Sequence, residues 1–180
     1  MQYRRSRAKG AAFFFTVVTH GRRRFLCDET NIKLIREAFQ HVVTRHPFTV
    51  DAFVLLPDHL HCIWTLPEND SDFSMRWRQI KSYFSRKCRD KFKGGQADAL
   101  LSTGKQAIWQ HRFWEHQIRD ETDFVSHVEY IHYNPVKHGL ATSPKAWPHS
   151  TFHRFVTQGI YPGDWGEDKA IGFDTNIGNE

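Results

Sequence analysis

The sequence predicts an α+β fold, a ferredoxin-like antiparallel four-stranded sheet with helices on one face and a further helix near the other. Three observations carry this. Residues 55–66, LLPDHLHCIWTL, set two apolar runs on either side of Pro57-Asp58, and so short a link makes the flanking strands an antiparallel hairpin. Residues 31–46 and 72–92 carry apolar side chains at helical spacing. Taken along the chain, the elements read β-α-β-β-α-β-α, and the first six follow the ferredoxin-like order.

Each element has its own justification. Residues 1–10, MQYRRSRAKG, are a basic arm, either a frayed terminus or an arm that contacts phosphate or bases. Residues 12–20, AFFFTVVTH, are aromatic and β-branched, as a buried strand requires. The helix over 31–46 ends before Pro47, and the hairpin strands take 48–56 and 59–66. A long basic helix over 72–92 is broken by Gly94-Gly95, and 93–107 reads as a polar loop. Residues 108–118 are expected to form the last strand. A helix over 121–133 is expected to stop at Asn134-Pro135, because the residue before proline disfavours helical angles. One domain over 1–159 is followed by a tail, 160–180, rich in Gly and Asp and expected to be loosely held.

Composition narrows the class of partner. A chain of 180 residues with 39% hydrophobic residues builds one real core. A formal net charge of +5 favours an anionic partner. Cys27, Cys62 and Cys88 are odd in number and form no Cys-x-x-Cys pair, which fits a reducing cytoplasm. No apolar run approaches the ~20 residues of a membrane span.

The hairpin raises the functional question. Side chains at i and i+2 of a strand share a face. His59 and His61 therefore sit side by side, while Leu60, Cys62, Trp64 and Leu66 face the opposite, helix-packed side. Neutral imidazole is a common metal ligand, so the pair presets half a coordination sphere. With 12 histidines in the chain, however, His-x-His alone is a weak signal. The helix over 121–133 adds to it. At about 100° per residue, Phe124, Val125, Val128 and Ile131 fall on one arc and are expected to pack inward. His127, Tyr130 and Asn134 form a second stripe beside it. Tyr130 and Asn134 are neighbours at i and i+4, able to reach one site. The plainer readings are a half-buried aromatic for Tyr130 and a helix-ending residue for Asn134. Tyr133 points away from that stripe.

With HLH on a strand and YIHYNPVKHGL ending a helix, the chain resembles the single-tyrosine HUH transposases. Within them it resembles the REP-associated tyrosine transposases of bacteria. The segments YRR at 3–5, FFFTVVT at 13–19, LLPDHLHCIWTLP at 55–67, YIHYNPVKHGL at 130–140, WPHSTFHRFV at 147–156 and DWG at 164–166 carry the likeness. The resemblance implies the HUH-endonuclease form of the fold. It implies His59, His61 and Asn134 as metal ligands and Tyr130 as the nucleophile. It implies cleavage and rejoining of single-stranded DNA at extragenic palindromes that form hairpins, through a 5′-phosphotyrosine. The metal is expected to be Mg²⁺, with Mn²⁺ able to substitute, since two imidazoles and an amide oxygen suit manganese. Zinc competes through Cys62, but Cys62 points to the opposite face. The expected setting is the bacterial cytoplasm at the nucleoid, as monomer or homodimer.

Basic charge interleaved with aromatics in 72–92 fits single-stranded DNA, with cations tracking phosphates and rings stacking on bases. The expected contacts are Arg76, Arg78, Lys81 and Arg86, with Arg112 and Trp114 lining the same groove and Arg4 and Arg5 reading bases beside the hairpin. Three readings compete. A non-catalytic nucleic-acid-binding module would bind without metal. A phosphodiesterase using activated water would form no adduct. A structural zinc protein would have no nuclease activity.

Overall fold

The central pairing is between β1 (Ala12–Val18) and β3 (His59–Thr65), antiparallel, with Thr16 opposite His61 and Val18 opposite His59. β2 (Thr49–Leu55) and β4 (Trp114–Gln117) form the edges, giving the antiparallel sheet order β2-β3-β1-β4. The helices are α1 (Glu29–Arg45), α2 (Phe73–Lys91), α3 (Glu121–Lys137) and the short α4 (Phe152–Thr157). The computed structural model describes residues 8–91, 108–167, 171–173 and 177–178. Arg4, Arg5 and the 93–107 loop lie outside the described residues.

Alternation in the strands divides the sheet into two faces. Phe13, Phe15, Val17, Leu60, Cys62 and Trp64 bury themselves under α1 and α2. Trp64 stacks on Trp77 of α2 with ring centroids 4.3 Å apart and planes at 19°. The opposite face carries Phe14, Ala52, Val54 and Ile63 and packs against Val128, Tyr130 and Ile131 of α3. The histidines of β3 belong to this second face. Cys62 points into the first.

Five sequence expectations change. The last strand is only Trp114–Gln117, because Ile108 and Trp109 turn inward to join the α1–α2 core and touch the sheet through one bridge, Thr19 to Trp109. Val125 is 46% exposed, whereas Asp123, His127 and Asn134 are buried. The sheet face beneath α3 is partly polar, so the polar stripe takes the inward position. The expected tail boundary at 159 does not mark the end of packing, since Tyr161, Phe173 and Ile177 lie against the second core.

The fourth change concerns the end of α3. The helix runs through Pro135 to Lys137. Proline forfeits its own N–H bond, yet the following turn is secured. The N–H of Gly139 donates to Val136 O (2.9 Å) and that of Leu140 to Pro135 O (2.8 Å), with Gly139 at φ +65°. This is a Schellman closure, which needs a residue in the left-handed region at that position.

Arg76 is also not what its charge implied. It is 1% exposed, and its guanidinium donates to His46 O, Pro47 O and Asp72 O and to the Asp70 carboxylate at 2.6 Å. It ties the start of α2 to the α1–β2 connection rather than facing DNA. Its hydrogen bond holds the Asp70 carboxyl below the usual range. Arg76→Met is expected to lower the unfolding free energy by about 3 kcal/mol, since buried carbonyls and a carboxylate lose a charged donor. Urea unfolding measures it. An unchanged midpoint with weakened DNA affinity would return Arg76 to the DNA surface.

Candidate active site

β3 and the Pro57-Asp58 turn fix the two histidines. Both are buried, with ring centroids 4.9 Å apart at 80°. His59 Nδ1 donates to Asp58 Oδ1 at 2.7 Å, and this bond holds the Asp58 carboxyl below the usual range. His61 Nδ1 is bonded to Thr16 Oγ1 across the strand pair at 2.9 Å. With Nδ1 occupied in both rings, Nε2 is the nitrogen each offers a metal, and the partners set ring orientation.

α3 lies across this pair. The Tyr130 ring meets His61 edge-on, with centroids 5.3 Å apart at 71°. Two turns later His138, at the end of the helix, meets His59 at 5.1 Å and 70°. Asn134 is one turn from each and 1% exposed, on the side of the helix that carries those contacts. Two imidazoles and a nearby carboxamide are a donor set that fits a divalent cation. Tyr133 turns elsewhere, packing on Phe173 (5.7 Å) and Trp165 (6.4 Å).

A family model described as "Transposase IS200 like" matches residues 10–134. The REP-associated tyrosine transposase of Escherichia coli (strain K12) is 47% identical over 167 residues, 93% of this chain and 92% of that protein. A relative from Haemophilus influenzae is 43% identical over 169 residues, 91% of this chain and 92% of its own. The solved structure of a REP-associated tyrosine transposase bound to a REP hairpin matches with TM-score 0.83 and 44% identity, covering 100% of this chain and 98% of that one. The chain belongs to the REP-associated tyrosine transposases. As a member of that family it is an enzyme of the tyrosine-transposase class. Among its described residues, no helix is long and apolar enough to cross a membrane.

Where the first turns of α3 meet β4 in this transposase, His116 of β4 and Asp123 and His127 of α3 bring ligand atoms within 4.8 Å of one another. Burial alone would raise the Asp123 carboxyl. Hydrogen bonds from Arg119 and His116 instead hold it well below the usual range. His127 Nδ1 bonds the Asp123 carbonyl at 2.8 Å. The His116 and His127 rings stack at 4.6 Å with planes 11° apart. In this arrangement the cluster is a hydrogen-bonded post fixing α3 to β4.

The basic residues separate into two grooves. One, of about 800 Å³, runs between α2 and residues 108–113 and is lined by Arg78, Lys81, Arg86 and His111 among others. Arg78 and Arg86 are exposed there, while Lys81 Nζ donates to Gln110 O at 2.9 Å. Arg112 and Trp114 do not line that groove. Trp114 pairs with Thr16 in the sheet, and Arg112 and Trp114 bound a separate cavity of about 180 Å³ with Thr16, Val18 and Arg22.

Sequence reasoning missed four residues of the site. Thr16 required the β1–β3 register. Asp58 had a visible signal, a carboxylate next to a candidate ligand. Lys137 and His138 were hidden behind the expected stop at Pro135.

Proposed function

We propose that the protein cleaves and rejoins single-stranded DNA beside REP-type hairpins, with Tyr130 as nucleophile and His59, His61 and Asn134 as ligands of a divalent metal. The observation that carries this is the stripe Tyr130–Asn134–His138 laid along His61 and His59. It supports a site in which a phenol and a carboxamide from one helix share a face with two oriented imidazoles.

A divalent ion held there supplies charge neutralisation and orientation of the scissile phosphate. Mg²⁺ is the proposed native ion, with Mn²⁺ able to replace it. The chain's own residues do the remainder. Thr16 and Asp58 lock the imidazoles, so little reorganisation is needed when the phosphate arrives. Tyr130 packs edge-on against both Phe14 and His61, and its Oη is the proposed attacking atom. Attack forms a 5′-phosphotyrosine and frees a 3′-OH, and the ester keeps the bond energy needed for rejoining. Arg78, Lys81 and Arg86 on one side, with Arg112 and Trp114 on the other, are the proposed DNA contacts. Arg4 and Arg5 are proposed to contact bases next to the hairpin.

The test is a hairpin oligonucleotide with single-stranded flanks, labelled 3′ of the cleavage site, incubated with the protein and Mg²⁺ or Mn²⁺ and run on a denaturing gel. A slow-migrating, detergent-resistant band that needs the metal and fails to form in EDTA is expected. Cleavage to free 5′-phosphate ends with no such band would make water the nucleophile and overturn the reading.

A further inference from the structure

We infer that Lys137 is a catalytic residue of strand cleavage, its ammonium group supporting the Tyr130 oxygen while that oxygen gains and gives up the phosphate. This rests on Tyr130 being the nucleophile.

The geometry is direct. Lys137 Nζ lies 2.9 Å from Tyr130 Oη and donates a hydrogen bond to it. The same ammonium sits 4.7 Å from the centre of the Tyr130 ring. Positions 130 and 137 are seven apart, so about two turns bring them back to nearly the same face. Side chains on a helix lean towards its N-terminus, which sends a long lysine from 137 back over 130. None of this would exist if α3 ended at Asn134. The Schellman closure after Pro135 extends the helix just far enough to place the ammonium.

Lys137 is itself an exposed residue at the end of a helix. Holding its four-carbon stem against Tyr130 takes rotamer freedom that an unconstrained surface lysine keeps. The contact is with the one atom of the ring that the proposed reaction uses.

The chemistry follows. As Oη attacks, an Oη–P bond forms and the P–O3′ bond breaks. The phenolic proton passes to solvent, and the departing 3′ oxygen takes a proton from water. Lys137 keeps its protons throughout. Negative charge concentrates on Oη as its proton leaves, and again when rejoining expels the tyrosine. A fixed cation stabilises it at both moments, where an ammonium–phenolate pair is stronger than the ammonium–phenol bond of the resting site.

The test compares Lys137→Met, Lys137→Arg and Lys137→Ala with wild type in single-turnover adduct formation, with hairpin affinity measured separately by anisotropy without metal. Lys137→Met is expected to slow adduct formation by about 100-fold with hairpin affinity within about twofold. Lys137→Arg is expected to keep most of the rate. Added ethylamine is expected to restore part of the Lys137→Ala rate, which a purely structural tie would not allow. An adduct that needs Tyr130 yet forms at the wild-type rate in Lys137→Met overturns this inference and leaves the nucleophile standing. So does a rate loss matched by lost hairpin affinity and not relieved by amine. An adduct that survives Tyr130→Phe removes both.

Discussion

Tyr130→Phe is expected to abolish the covalent protein–DNA band, lowering adduct formation by about 10³-fold or more, with hairpin affinity unchanged. The substitution removes one oxygen and nothing else. The ring contacts with His61, Phe14 and Phe173 need only the six carbons, so the helix stays seated. What disappears is the hydrogen bond from Lys137 and the bond to the Gly178 carbonyl. A neutral bond of this kind is worth about 1 kcal/mol, and one from a charged donor about 1.5–3 kcal/mol before solvent screening at an exposed lysine. A thermal melt beside the gel separates the two effects. Tyr133→Phe serves as the internal control, because Tyr133 packs on Trp165 and Phe173 and is expected to leave the adduct intact. If Tyr130→Phe still forms the band and Tyr133→Phe does not, the nucleophile has been assigned to the wrong tyrosine.

Ending the chain after Glu167 is expected to raise the rate of adduct formation by about tenfold. Tyr130 is 1% exposed, and part of its cover comes from the C-terminal segment. Its hydroxyl donates to Gly178 O at 3.4 Å, and Phe173 meets its ring edge-on at 5.4 Å. A phosphate approaching Oη must displace Gly178. Gly178 has φ +67°, and a Cβ added there would overlap the tyrosine hydroxyl and ring. Only glycine allows so close a lid. A covered state favoured by about 1.4 kcal/mol reduces the competent fraction about tenfold, and truncation removes that factor. Tyr161 and Trp165 remain, so their stack at 4.5 Å is kept. Gly178→Ala should act in the same direction without shortening the chain. A truncated protein that melts like wild type but cleaves no faster would show that the cover does not limit access.

The parts of this molecule legible in its sequence were those set by short-range periodicity. Period-two alternation from His59 to Thr65 placed the histidines on one face and Cys62 on the other. The helical wheel put Tyr130 and Asn134 on one stripe. What the sequence concealed came from partners distant along the chain. Arg76 reads as a surface cation until the carbonyls of His46 and Pro47 close around it. Val125 reads as core because the wheel does not reveal that the underlying sheet face is partly polar. Pro135 reads as a stop because its local preference is against helix, and only the capping bonds of Gly139 and Leu140 outweigh it. The same misreading hid Lys137 and His138.

One last consequence comes from α3 packing on the sheet of its own chain. The tyrosine and the histidine pair that it meets are contributed in cis. Two inactive copies, one lacking Tyr130 and the other lacking His61, would therefore have no intact site to share when mixed. With the proposed chemistry in place, mixing is expected to leave cleavage unrestored, and cleavage that reappears would mean that the tyrosine helix passes between copies.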